Sequence, residues 1–106
     1  MFTRKAVEEI TSGFLAELKK RGFKPTKAIL FGSYAKGTPH EHSDIDLAVW
    51  DDQFTGCLPI DIEQLHDVKR KFHPLLEIHT FHSSESEDTN PFIAEILKNG
   101  VAVRIQ

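Results

Sequence analysis

Asp44 and Asp46 stand at i and i+2 in the stretch Ser43-Asp44-Ile45-Asp46-Leu47-Ala48-Val49-Trp50, a segment of strand character. Alternation along a strand puts both carboxylates on one face, with Cα atoms about 6.6 Å apart. Two unit charges at that distance repel by about 2.5 kcal/mol at an effective dielectric of 20, so a cation belongs between them. Oxygen-only donors suit Mg²⁺ or Mn²⁺ better than zinc. Ten residues separate Asp44 from Ser33, in Phe31-Gly32-Ser33-Tyr34-Ala35-Lys36-Gly37. Gly32 and Ser33 offer backbone N–H groups, a hydroxyl and a side-chain-free approach, the means by which a turn that opens a helix cradles phosphate. A third acid, Glu77, is flanked by Leu76 and Ile78. A carboxylate inside an apolar strand is costly unless solvated, paired or bound to metal, so Glu77 is the candidate third ligand; an exposed Glu on an edge strand is the alternative. His79 follows two residues on, hence on the same face: a contact to the acids or to substrate, or else a residue of the rim.

These residues need elements to hold them. Val7, Ile10, Phe14, Leu15 and Leu18 recur at helical spacing between about Thr3 and Arg21, with Lys19, Lys20 and Arg21 in the last turn and Gly22 placed to end it. Pro25 bars continuation, and Lys27 to Phe31 reads as a buried strand that delivers Gly32 to a sheet edge. Ser33 to Lys36 then forms a short helix stopped by Gly37, and Thr38 to Ser43 a polar loop containing His40 and His42. Those histidines read as solvated loop residues, since no cysteine or third histidine completes a zinc set. After the Asp44–Trp50 strand, Asp51 to Pro59 reads as loop. A second amphipathic helix starts at about Ile60 and carries Ile62, Leu65, Val68 and Phe72, with Lys69, Arg70 and Lys71 in its final turn. Pro74 ends it, and Leu75 to Phe81 is the third strand. His82 to Thr89, polar and with three carboxylates, reads as a mobile loop or solvated tail of the site. Asn90 as N-cap and Pro91 at the first position open a last helix closed by Gly100, and Val101 to Ile105 can add a short strand. The order α-β-α-β-α-β-α-β predicts an α/β (α+β) fold, a small mixed sheet with helices mainly on one face.

The 106 residues, 40% of them hydrophobic, predict a single domain over residues 1–106. Net charge is -3, and a pI near 6.0 argues against nucleic acid as the main partner. The charge is uneven: residues 1–27 carry seven Lys or Arg against three Glu, the rest six against thirteen acids. The single cysteine, Cys57, has no internal disulfide partner and suits a reducing cytoplasm as loop or core filler. Neither a secretory leader nor an apolar run of membrane-spanning length is visible, so a membrane location is not expected.

In order and spacing, Gly32-Ser33 followed by Asp44-x-Asp46 resembles the signature of the DNA polymerase beta nucleotidyltransferase superfamily. Within it the chain looks like a minimal nucleotidyltransferase, the small type often paired with a HEPN-domain protein in prokaryotic toxin–antitoxin modules. The likeness is tight over Phe31 to Trp50 and looser through the Leu76-Glu77-Ile78-His79 strand and the Asn90-Pro91-Phe92-Ile93 helix start. It implies the polymerase beta-like nucleotidyltransferase fold, with Asp44, Asp46 and Glu77 as catalytic acids holding two Mg²⁺ ions. Glu77 stands where the family more often has Asp. Gly32, Ser33, Lys36 and Ser43 are the candidate nucleotide-binding residues; Lys36 is either a cation near the phosphates or a surface lysine. ATP or another nucleoside triphosphate is the implied donor, and a hydroxyl of a partner protein the implied acceptor, within a homo- or hetero-oligomer. Two other roles stay open: a nucleotide-binding docking module that neutralises a partner, and the catalytic subunit of a two-component small-molecule nucleotidyltransferase. Retention of both motifs and of a third acid favours the enzyme.

Overall fold

The computed structural model describes residues 2–39, 43–55, 58–72 and 74–105, with the side chains of Leu58, Pro59, Ile62, Lys69 and Arg70 outside the description. His40, His42 and Cys57 thus lie outside the described residues. Eight elements alternate: α1 (Arg4–Lys20), β1 (Lys27–Phe31), α2 (Ser33–Lys36), β2 (Ile45–Trp50), α3 (Leu58–Arg70), β3 (Leu76–Phe81), α4 (Pro91–Asn99) and β4 (Val101–Ala102). The helix ends are set by local chemistry. The Thr3 hydroxyl caps α1 by accepting from the Ala6 N–H at 3.0 Å, and Gly22, at φ +92°, turns the chain away after it. The Asn90 side chain caps α4 through the Phe92 N–H, with Pro91 in the first turn. Helix α3 starts two residues earlier than the hydrophobic spacing predicts. Pro59 lies inside its first turn, where the missing N–H has no intrahelical partner to lose.

The four strands form one mixed sheet in the order β3-β2-β1-β4. Strands β1 and β2 pair antiparallel, β2 and β3 parallel, and β4 antiparallel to β1. A parallel pair needs a crossover, which α3 supplies. Ladder alternation then sorts the side chains. Ala28, Ile45, Leu47, Val49, Leu76 and Ile78 point to one face, where Val7, Phe14, Leu15 and Leu18 of α1 and Leu65 and Val68 of α3 close the main core. Full burial of a side chain such as Phe14 or Leu18 contributes about 1.5–3 kcal/mol. Because β3 and β4 lie at opposite edges, α4 must cross the sheet to join them. It does so on the other face, where Ile93 and Ile96 pack with Ile29, Ala48, Trp50 and Phe81. The two long helices therefore share one face, and α4 packs on the opposite one.

The segment His82 to Thr89 is tied down rather than free. The Glu85 carboxylate accepts from the His82 N–H at 2.9 Å, Ser86 and Thr89 close a turn, and Trp50 Nε1–H donates to the Glu85 carbonyl at 3.0 Å. It leaves from the end of β3 opposite Glu77, so its acids are not a tail of the site. Strand β4 is shorter than expected, although Val103 still donates to the Ala28 carbonyl at 2.9 Å.

Candidate active site

The second residues of β2 and β3 bring two of the acids together. In the parallel register Asp46 lies beside Glu77, on strands about 4.8 Å apart. Strand β2 runs between two neighbours and is buried at every position except Asp46, which is half-buried at the accessible end. Glu77 is half-buried in the same way, and Asp44 is exposed just before the strand. The Ile45 N–H donates to the Leu75 carbonyl at 2.8 Å, which fixes the register that pairs the two acids.

Gly32 closes the site from the β1 side. Phe31 pairs with Asp46 across the antiparallel ladder, so the next residue turns over the Asp46 side chain. Gly32 adopts φ +77°, ψ -155°, a conformation essentially confined to glycine. A Cβ placed there would overlap Asp46 Oδ2 and lie 3.2 Å from Cγ. The side-chain-free space beside this glycine is thus occupied by the protein's own carboxylate, and the phosphate reading of Gly32 rests on its backbone alone. Ser33 opens α2; the Lys36 N–H donates to the Gly32 carbonyl at 3.1 Å and the Thr38 N–H to the Ser33 carbonyl at 3.0 Å. Gly37, in the left-handed region, ends that single turn, and Lys36 is exposed beside it. Ser43 is buried just before Asp44.

On the third side is His79, one inward-facing position along β3 from Glu77. Its Nε2 is 3.6 Å from Asp46 Oδ1, both side chains being 26% exposed. Its ring meets Phe31 edge-on at 4.9 Å between centroids and Phe92 at 5.7 Å. Asp46 is therefore bracketed, with Oδ2 against Gly32 and Oδ1 toward an imidazole held between two phenyl rings. Sequence spacing gave His79 the right face; the aromatic bracket depends on α4 crossing the sheet, which spacing does not reveal.

Among the described residues no three His, Cys, Asp or Glu side chains converge into a ready-made cation site. The donor chemistry nonetheless fits a hard divalent cation. Asp46 and Glu77 are neighbouring half-exposed carboxylates, and Asp44 stands exposed next to them, all oxygen donors. Two other acids are excluded from this role by their bonding. Asp51 accepts the Lys24 and Gln53 N–H groups, each at 2.8 Å, and Asp61, fully buried, accepts from the Thr55 N–H, the Thr55 hydroxyl and the Thr80 hydroxyl at 2.7–3.0 Å. They fasten loops to the sheet.

A mixed sheet that carries paired acids at the ends of adjacent strands, next to a glycine turn opening a helix, defines the class: a nucleotide-handling transferase domain. The chain belongs to the polymerase beta nucleotidyltransferase family, whose sequence profile matches residues 15–105. No curated protein matches it. Several solved structures share the fold, among them the following two. A candidate nucleotidyltransferase from Sulfolobus solfataricus is 17% identical with a TM-score of 0.62, the match covering 91% of this chain and 78% of that one. A chain of a toxin–antitoxin complex solved with AMP-PNP is 19% identical with a TM-score of 0.54, covering 90% and 73%.

Proposed function

We propose that this domain transfers a nucleoside monophosphate, AMP from ATP, to a hydroxyl of a partner protein, and that the partner is a HEPN-domain protein of a toxin–antitoxin pair. The observation that carries the reading is the placement of Asp46 beside Glu77 and directly against Gly32, at the turn that opens α2. Asp44, Asp46 and Glu77 would hold two Mg²⁺ ions, or Mn²⁺. These would neutralise the triphosphate and lower the pKa of the acceptor hydroxyl. The chain's own residues supply position and charge. Three carboxylates make the site repel a bare triphosphate, so donor binding depends on the divalent ions being present. The backbone of Gly32 and Ser33, with Ser43 and Lys36 alongside, orients the β and γ phosphates so that the α phosphorus faces the acceptor. His79 Nε2, 3.6 Å from Asp46 Oδ1, flanks that carboxylate. The new ester bond forms between the acceptor oxygen and the α phosphorus as the α–β bridging bond breaks. Pyrophosphate departs with the bonding pair, and the hydroxyl proton is released.

The pairing with a second protein draws on the toxin–antitoxin relative of this fold and on the small-nucleotidyltransferase resemblance of the Phe31–Trp50 stretch. A cytoplasmic setting goes with it, and among the described residues no helix is long and apolar enough to cross a membrane. A neighbouring reading frame with an Arg-x4-His-x-Tyr motif would supply the partner. Intact-mass spectrometry of the two proteins with ATP and Mg²⁺ tests the proposal. AMP-sized mass increments on the partner are expected, and none with an Asp44→Asn, Asp46→Asn variant. Absence of any increment with each of the four nucleoside triphosphates, while that variant still neutralises the partner, would make the domain a docking module.

A further inference from the structure

The face of the sheet that packs on α1 is incompletely covered. Helix α1 meets α3 on one flank, but toward β4 it leaves a groove of about 790 Å³ between its first turns, α2 and the edge strand. Val7, Leu30, Tyr34 and Val103 give the groove an apolar floor, and Lys36 and Arg104 stand on its rim. Strand β4 is the terminal strand of the sheet, and among the described residues no strand pairs with its outer edge. The Val103 N–H donates to the Ala28 carbonyl, and Ile29 faces Ala102 in the register. Antiparallel pairing alternates, so the backbone groups of Ala102 and Arg104 point away from β1, toward the open edge. Val101 is 47% exposed there. An unpaired edge of this kind is a template for an added strand.

We infer that the β4 edge and the groove behind it bind an extended, acidic segment of a partner protein by strand addition, with alternate apolar side chains entering the groove. Charge selects the occupant. Among the described residues neither Lys36 nor Arg104 has an acidic partner, whereas Arg4, near the groove, is already paired with Glu8 at 3.4 Å. An added strand would run along the mouth of the groove, where Lys36 and Arg104 stand, so its acidic side chains meet cations there. A second copy of this chain would instead bring its own Arg104 and Lys36 to the same edge, and like charges would oppose the pairing.

The test uses a fluorescein-labelled eight-residue peptide of alternating valine and glutamate, followed by anisotropy without nucleotide, so its outcome is independent of the transfer reaction. Saturable binding is expected, at least tenfold weaker for Arg104→Glu, weakened again by raised salt, and absent for the valine-lysine peptide. Ala102→Pro removes an outward-pointing N–H and no ladder bond, and should abolish binding. Should that variant unfold, hydrogen exchange on the unaltered protein replaces it: the peptide should slow exchange at the Ala102 and Arg104 amides. No binding of the valine-glutamate peptide, equal binding of the valine-lysine peptide, unslowed exchange at those amides, or a concentration-dependent dimer in sedimentation that the peptide does not disperse would each overturn the inference.

Discussion

The Asp46 carboxylate occupies the space that a side chain at residue 32 would need, so Gly32 and Asp46 are one structural unit contributed by two strands. Gly32→Ala should therefore fail twice, through a backbone conformation closed to alanine and through displacement of Asp46. We expect a loss of about 1–3 kcal/mol in denaturant unfolding, together with loss of nucleotidyl transfer. Gly37→Ala is the control. Its φ of +74° strains an alanine, by about 1–2 kcal/mol, but nothing lies within 4 Å of the added carbon, so the site geometry and activity per folded molecule should persist.

Asp44→Asn with Asp46→Asn should remove activity while leaving the metal-free fold as stable as before or more stable, by up to about 1 kcal/mol. The substitution removes like charge from a site where Asp46 already lies beside Glu77. Thermal unfolding in chelator checks this; a large fall in Tm would mark the pair as structural.

Asp61 should behave in the opposite way. It is fully buried and accepts three hydrogen bonds from Thr55 and Thr80, so Asp61→Ala leaves the buried Thr80 hydroxyl without its acceptor and releases the Thr55 loop. A cost of about 3 kcal/mol is expected in urea unfolding, with transfer per folded molecule unchanged.

One ion pair gives a pH signature. The Lys71 ammonium, 2.8 Å from Glu17, holds the Glu17 carboxyl below its ordinary value of 4.5, first by its hydrogen bond and then by its charge, with Arg21 adding to it. A carboxyl depressed in the folded state contributes stability above its unfolded pKa, and that contribution is lost as pH falls through the lower folded value. Urea unfolding followed downward from about pH 6 should thus show a steeper acid loss for the unaltered protein than for Lys71→Ala. The pair is solvent-accessible, so salt should flatten the difference.

The elements that position the site were legible because glycine and proline punctuate them. Strand β1 and helix α2 lie where the apolar run, Gly32 and Gly37 place them, and the Asp44-x-Asp46 spacing put the acids at the start of β2. What spacing could not reveal depended on partners distant in sequence. Asp51 and Asp61 look like any solvated acids until Lys24 and Thr80 are seen donating to them. The start of α3 was obscured by Pro59, which is tolerated in a first turn. The ordering of His82 to Thr89 rests on Trp50 and Glu85 meeting across 35 positions.

The central claim is that the Asp44, Asp46 and Glu77 carboxylates serve a metal-bound triphosphate. Calorimetric titration of ATP into the protein tests it most directly, once in excess Mg²⁺ and once in excess chelator. Binding is expected with Mg²⁺ and its loss in chelator, because the bare acids repel the phosphates. Equal affinity in the two titrations would contradict the account.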